Sequence, residues 1–154
     1  MQDEWLSTIQ RLLVIQLDTA DAIRGAIATL QQHRPDISLI LLEAQNDDGS
    51  SVSYILPGEM PLTVHDNFQH ATIEWIREQS VDAAVVLSAR ERSPYTWAYR
   101  CYLAGVPIRI GQSLEFGGQV LSHCIAPPDT TVSDPHLHLL QTCGLVATEA
   151  LPQI

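Results

Sequence analysis

The stretch WAYRCYLAGVPIRIGQSLEFGGQVLSH, residues 97–123, decides the fold class of this chain. Ser93 and Pro94, just before it, supply a helix N-cap and a proline for the first helical turn. The helix ends at Gly105, and an apolar strand follows it over residues 106–110. A helix, a tight stop, a strand and a glycine-bearing loop in this order are typical of α/β folds, which bind ligands at the carboxyl ends of their strands.

The rest of the chain also alternates between strand and helix patterns. Apolar runs predict strands over residues 12–17, 38–44, 52–56 and 83–87, and helical spacing predicts helices over residues 20–34, 67–79 and 135–143. Ser133 or Asp134 is the expected N-cap of the last helix, and Gly144 its C-terminal stop. The first strand, helix and strand form a βαβ unit with an expected right-handed parallel crossover. The sequence therefore predicts one α/β domain with a doubly wound, mostly parallel, Rossmann-like sheet.

Charge and hydropathy exclude several classes of partner. Eight Lys and Arg against eighteen Asp and Glu give a net charge of −10, which would repel nucleic acid, so no nucleic-acid partner is expected. No apolar run reaches the length of a membrane span, and the first ten residues lack a basic, apolar signal sequence. A cytoplasmic protein is therefore the default expectation.

The cysteines and histidines lack the spacing of a metal site. The three cysteines have no CxxC pair, which favours buried thiols in a reducing compartment. His136 and His138 are two residues apart, unlike the four-residue spacing of a helical metal site, and His123 beside Cys124 has no further partner at metal spacing. The sequence thus predicts no metal and no other cofactor.

Three segments resemble glycosyltransferase family 9, the ADP-heptose:lipopolysaccharide heptosyltransferases. They are AGVPIRIGQSLEFGG at residues 104–118, RLLVIQLDTADAIRGAIATLQQHRPDISLILL at residues 11–42, and VDAAVVLS at residues 81–88. The resemblance implies the N-terminal half of a GT-B fold, with residues 1–154 as a single acceptor-binding domain. It also implies that the C-terminal nucleotide-sugar domain lies outside this chain, since LPQI at its end falls about where the linker between domains would begin.

The function implied by the resemblance is hexosyl or heptosyl transfer in the assembly of lipopolysaccharide or another cell-surface glycan. The acceptor would be a sugar or a glycolipid, and the nucleotide-sugar donor would reach the site only through the second domain. The implied location is cytoplasmic, peripheral to the inner membrane. Because the donor half is missing, we expect this chain to be inactive by itself.

The same family carries its catalytic base in a Gly-Asp pair after the first strand, and the counterpart here is Ala20-Asp21. The resemblance therefore implies Asp21 as the base, with Asp18 in the same loop as the alternative. Two features depart from the family: Ala20 replaces the glycine, and no histidine stands near Thr131, before the last helix. The structural alternative for either aspartate is a helix cap or a first-turn acid that the helix dipole favours.

The candidate acceptor-binding residues follow the predicted strands or lie at their ends. Arg109 would clamp an anionic acceptor or, alternatively, occupy a solvent-facing strand position, and the polar loop residues would bind hydroxyls or merely complete turns. Trp97 and Tyr99 would form a stacking face or belong to the core. Because parallel strands share an edge at their carboxyl ends, loops 19–21, 88–93 and 111–118 are expected to meet. The candidates are Thr19, Ser93, Arg109, Gln112, Ser113, Glu115, Gly117 and Gly118.

An alternative function is a non-catalytic binding or assembly module derived from a GT-B half. Such a module would bind a partner protein through the face that would otherwise meet the second domain, and an apolar patch would be exposed there. A third hypothesis, a nucleotide-binding Rossmann protein, is disfavoured because no GxGxxG motif follows residues 12–17.

Overall fold

The structure is a computed structural model that describes residues 4–44, 49–55, 63–64, 73–89, 92–113, 120–128 and 131–146. Seven strands lie within these residues: β1 (Arg11–Leu17), β2 (Ser38–Ala44), β3 (Gly49–Ile55), β4 (Thr63–Val64), β5 (Ala83–Ser88), β6 (Ile108–Gln112) and β7 (His123–Ile125). The helices of the same residues are α1 (Glu4–Thr8), α2 (Ala20–His33), α3 (Ile73–Gln79), α4 (Tyr95–Leu103) and α5 (Pro135–Cys143).

The strands form one sheet in the order β4-β3-β2-β1-β5-β6-β7. Five neighbouring strands are parallel, in the order β2, β1, β5, β6 and β7. At the β2 edge, β3 pairs antiparallel with β2, and β4 pairs antiparallel with β3. The chain runs from β1 to β2 on one side and, after β5, moves outward to β6 and β7 on the other side. The predicted mostly parallel α/β sheet is therefore confirmed, and the antiparallel edge is a feature that the sequence analysis did not predict.

Helices cover both faces of the sheet because the central strands are apolar on both faces. In β1 the even-numbered Leu12 and Val14 pack against α2 and α5, whereas the odd-numbered Leu13 and Ile15 pack against α3 and α4. All four side chains are fully buried. The alternation of a strand thus divides the core into two layers, one on each side of the sheet.

Side chains cap the N-termini of both helices of the first layer; the caps of α5 were predicted, whereas Thr19 takes the α2 position for which an aspartate was considered. Thr19 caps α2, accepting a hydrogen bond at its hydroxyl oxygen from the Ala22 amide (3.2 Å). Asp134 caps α5 by accepting from the Leu137 amide (3.0 Å), and Gly144 ends this helix in the left-handed conformation, at φ 97°. Of the two N-caps proposed for α5, Asp134 is therefore the one used.

Several predicted boundaries need correction. Helix α4 begins at Tyr95, and Ser93 accepts a hydrogen bond from the Tyr95 amide (3.2 Å) although it is not the residue next to the helix. The last turn of α4 leads to a strand that starts at Ile108 and not at residue 106, because the chain still turns at Gly105. Strand β7 was not predicted. The first residues of the helix predicted over residues 67–79 lie outside the described residues, and the described part is α3.

Two glycines of the described residues are expected to respond to alanine in opposite directions. Gly25 lies within α2, where an added Cβ would meet only Asp134 Oδ2 at an ordinary 3.5 Å, so Gly25→Ala should stabilise the fold by about 0.5–1 kcal/mol. Gly105 has φ +88°, a conformation that costs free energy for any residue with a Cβ. Gly105→Ala should therefore destabilise the fold by about 1 kcal/mol, although the space around Gly105 is open. Urea unfolding of both variants measures the change in the free energy of unfolding. Changes of the same sign would contradict the backbone conformations assigned to the two glycines.

The cysteines are only partly as expected. Cys101 and Cys143 are buried, whereas Cys124 is exposed, which corrects the prediction of buried thiols. Burial raises the pKa of the Cys101 thiol to about 12, so this group stays protonated and unreactive at neutral pH. No helix among the described residues has the length and apolar character needed to cross a membrane.

Candidate functional site

The strand order of the sheet reverses at the boundary between β1 and β5, at the centre of the sheet. After β1 the chain turns to α2 on one face, and after β5 it turns to α4 on the opposite face. The two loops therefore diverge, and a crevice opens between them at the carboxyl ends of the strands. In open α/β sheets such a reversal is the usual position of a ligand site.

A cleft of about 310 Å³ lies at this edge, large enough for a small ligand. It is built from the carboxyl ends of β1 and β2 and the loops that follow β1 and β5. Its walls carry two carboxylates, an amide and a guanidinium, which are groups that bind hydroxyls and charged substituents. The lining residues are Gln16, Leu17, Asp18, Thr19, Glu43, Ala44, Ala89 and Arg92.

Asp18 is a carboxylate of this cleft with a partner at each of its two oxygens. Its Oδ1 accepts a hydrogen bond from the Thr19 amide (2.8 Å), and its Oδ2 lies 2.8 Å from Nε2 of His136. The loop that carries Asp18 is itself held, because Gln16 Nε2 donates to the Asp18 carbonyl (2.9 Å). About a fifth of the side chain, 21%, remains exposed. A held, partly exposed carboxylate can accept hydrogen bonds from a ligand hydroxyl.

His136 lies on the first turn of α5 and is only 2% exposed. His136 also lines a second, smaller cavity of about 30 Å³, together with residues at the carboxyl ends of β5 and β6. Asp18 lines both this cavity and the cleft. The small cavity is lined by Asp18, Ser88, Gln112, Pro127, Pro135 and His136.

Asp21, the implied base, lies on the first turn of α2 and lines neither of these two cavities. Its side chain is 83% exposed and forms an ion pair with Arg24, one helical turn away (2.6 Å). The structure therefore gives Asp21 the alternative role considered for it, that of a first-turn acid on the helix surface. Asp18, the alternative candidate, is the aspartate at the cleft.

Arg109 is another candidate that the structure places away from the cleft. Its Nε donates to the Val120 carbonyl (2.6 Å) and its Nη1 to the Val106 carbonyl (2.7 Å). The guanidinium carbon also lies 5.1 Å from the centre of the Tyr102 ring. Arg109 therefore ties together the segments around β6 and packs on an aromatic ring, and the anionic clamp proposed for it is not supported.

Among the polar candidates, Thr19 and Gln112 face the site. Thr19 lines the cleft, and Gln112 lines the small cavity, where its Nε2 donates to the Pro135 carbonyl (2.8 Å). Ser113 follows β6 beside β7, with its amide bonded to the Ile125 carbonyl (3.1 Å). Ser93 lines neither of these two cavities.

Of the loops after β1, β5 and β6 that were expected to build one cleft, those after β1 and β5 line it, through Thr19, Ala89 and Arg92. Asp18, Ser88 and Gln112, each at the carboxyl end of one of these strands, line the same small cavity. Three further candidates of the third loop, Glu115, Gly117 and Gly118, lie outside the described residues.

The residue that sequence reasoning missed is His136. We considered it only as half of a metal pair with His138, but the two rings have different partners: His136 contacts Asp18 and His138 contacts Thr142 (3.4 Å). The described residues contain no group of three or more His, Cys, Asp or Glu side chains that could hold a metal ion. No local signal pointed to this role, because β7, the strand that precedes α5, was not predicted and the partner of His136 lies 118 positions away.

Comparisons with known proteins give little further information. No family model matches the chain, and no curated protein matches it. Among solved structures, the chain is similar to an AraC family transcriptional regulator from Pseudomonas putida, with 11% sequence identity and a TM-score of 0.40. That match covers 88% of this chain and 92% of the regulator.

Proposed function

We propose that this chain is the acceptor-binding domain of a glycosyltransferase that resembles the heptosyltransferases. The observation that carries the proposal is the position of Asp18: a carboxylate held at both oxygens, in a cleft at the point where the strand order reverses. The acceptor is a sugar or a glycolipid, and the enzyme would act in the cytoplasm, peripheral to the inner membrane. The sequence resemblance across residues 11–42, 81–88 and 104–118 supports the same class.

Asp18 is the proposed base. As the acceptor oxygen bonds to the anomeric carbon of the donor, the bond from that carbon to the diphosphate breaks, and the acceptor proton passes to the Asp18 carboxylate. The diphosphate leaves with both bonding electrons and is held by the nucleotide-sugar domain. The cleft itself has to hold the acceptor hydroxyl close to Asp18, since orientation supplies much of the rate acceleration in such two-substrate reactions.

The other cleft residues suit a polyhydroxylated ligand. Gln16 and Thr19 line the cleft together with Asp18, and Glu43 reaches it from the end of β2. Arg92, on the wall formed by the β5 loop, donates from Nη1 to the Leu17 carbonyl (3.4 Å), which places a guanidinium beside the ligand space. The cleft thus combines hydrogen-bond acceptors with one guanidinium. This set of groups suits a sugar with an anionic substituent better than it suits an apolar ligand.

Binding of methyl hexopyranosides to the isotopically labelled chain, followed through its amide resonances, tests the proposal. We expect weak binding, with a Kd on the order of 1–10 mM, and shifts concentrated on residues 16–19, 43–44, 89 and 92. Adenosine diphosphate, the nucleotide part of the proposed donor, is the control ligand. Because the donor is expected to bind to the second domain, adenosine diphosphate should leave these resonances unchanged. Nucleotide binding in the cleft, or no glycoside binding at all, would overturn the proposal, and the second outcome would favour the binding module.

A further inference from the structure

The ring of His136 has two nitrogens in different situations. Nε2 lies 2.8 Å from Asp18 Oδ2, a contact between residues 118 positions apart in the chain. Nδ1 is buried and has no hydrogen-bond partner among the described residues. Most buried polar atoms in proteins have a partner, and leaving one without a partner costs about 1–3 kcal/mol. A single buried ring with one strongly bonded and one orphaned nitrogen therefore requires an explanation.

The contact with Asp18 decides which nitrogen carries the proton. A carboxylate oxygen can only accept, so Nε2 must be the donor, and a neutral ring then has a bare Nδ1. This nitrogen has less than 1 Å² of accessible surface, so its missing partner is the cost of directing the proton of the ring at the Asp18 carboxylate.

We propose that His136 is the positioning residue of the Asp18 site. Its Nε2–H holds the carboxylate in the orientation that faces the cleft. The proposal rests on the proposed function in one respect, namely that the Asp18 carboxylate is the group that meets the acceptor.

The surrounding contacts explain why His136 can do this. Asp134 and Gly144 cap the two ends of α5, and Leu139 and Leu140 bury the helix in the core, so the backbone that carries the buried His136 ring is held in place. Asp18 is anchored on its other oxygen by the Thr19 amide. With one bond from each side, the plane of the carboxylate is defined, and its remaining lone pairs are available to a ligand.

The tautomer of His136 is measured first, on the ligand-free chain, by nitrogen-15 spectra of the imidazole at a pH where the ring is neutral. We expect the Nε2-protonated form, and we expect Asp18→Asn to move the His136 ring resonances while those of His138 stay in place. A ring protonated at Nδ1, or a His136 signal that does not respond to Asp18→Asn in a folded variant, would overturn the inference.

Variants of His136 then test the effect on binding of methyl hexopyranosides. His136→Gln keeps an N–H donor near the Nε2 position and should retain affinity within about threefold, whereas His136→Leu should lose about tenfold or more. His138→Leu, on the same helix, is the matched control and should bind as the wild type does. Equal affinity in His136→Leu and wild type would contradict the positioning role. A wild type that binds no glycoside overturns the proposed function, whereas the tautomer result, obtained without ligand, decides the inference independently.

Discussion

Replacing Trp97 with alanine is expected to lower the free energy of unfolding by about 4 kcal/mol. The side chain is 2% exposed and belongs to the core layer between the sheet and helices α3 and α4. Alanine there would leave a cavity that rigid strands cannot fill, and it would also remove the surface on which the Arg100 guanidinium packs, 4.5 Å from the ring centre. Urea unfolding of the variant, monitored by circular dichroism, gives the number directly.

Tyr99 provides the control for Trp97 on the same helix. It is 50% exposed and stacks on Tyr102 with a ring separation of 6.2 Å, so Tyr99→Ala should change the unfolding free energy by less than about 1 kcal/mol. From the sequence, each of the two aromatic residues could form a stacking face or belong to the core. The structure places Trp97 in the core and Tyr99 on the surface. Similar losses of unfolding free energy in Trp97→Ala and Tyr99→Ala would contradict that assignment.

The elements that sequence predicted well are those whose pattern is local. Strands β1, β2 and β5 are continuous apolar runs buried on both faces, and α2 has its buried residues at helical spacing between a Thr19 cap and Pro35. Such signals need no knowledge of distant parts of the chain. Because strands buried on both faces require helices on both faces, the fold class followed from them as well.

The elements at the edges of the sheet depend on pairing, which local pattern does not report. Strand β7 has three residues, of mixed exposure, and is a strand only because it pairs with β6. The antiparallel direction of β3 could have been predicted, since only residues 45–48 separate β2 from β3. A parallel connection would need a crossover of about a dozen residues.

The candidate site was predictable as an edge of the sheet but not as a set of atoms. The loops after β1, β5 and β6 had to meet once the strands were parallel, and this placed Asp18 and Gln112 near one another. The choice between Asp18 and Asp21 depends on where α2 begins and which way its first turn faces. The partner of Asp18 is His136, 118 positions away, and depends on how α5 packs beside α2. Contacts of that range are set by tertiary packing, which one sequence does not reveal.

Asp18→Ala and Asp21→Ala are expected to separate the site aspartate from the surface aspartate. Removing Asp18 leaves the buried Nε2–H of His136 without its acceptor, so the free energy of unfolding should fall by about 2 kcal/mol. Removing Asp21 breaks only an ion pair whose partners are 73% and 83% exposed, and the loss should stay below about 1 kcal/mol. Urea unfolding of the two variants measures both losses under the same conditions.

Binding should separate the two variants still further than stability does. Asp18→Ala is expected to abolish the shifts caused by methyl hexopyranosides at residues 16–19, because it removes the carboxylate that we propose accepts from the ligand, whereas Asp21→Ala should bind the glycoside as the wild type does. Asp18→Asn keeps the size of the side chain and shows whether charge or shape is needed. If Asp21→Ala lost binding and Asp18→Ala retained it, the acceptor site would have to lie on the first turn of α2, outside the cleft, and the proposed base would be wrong.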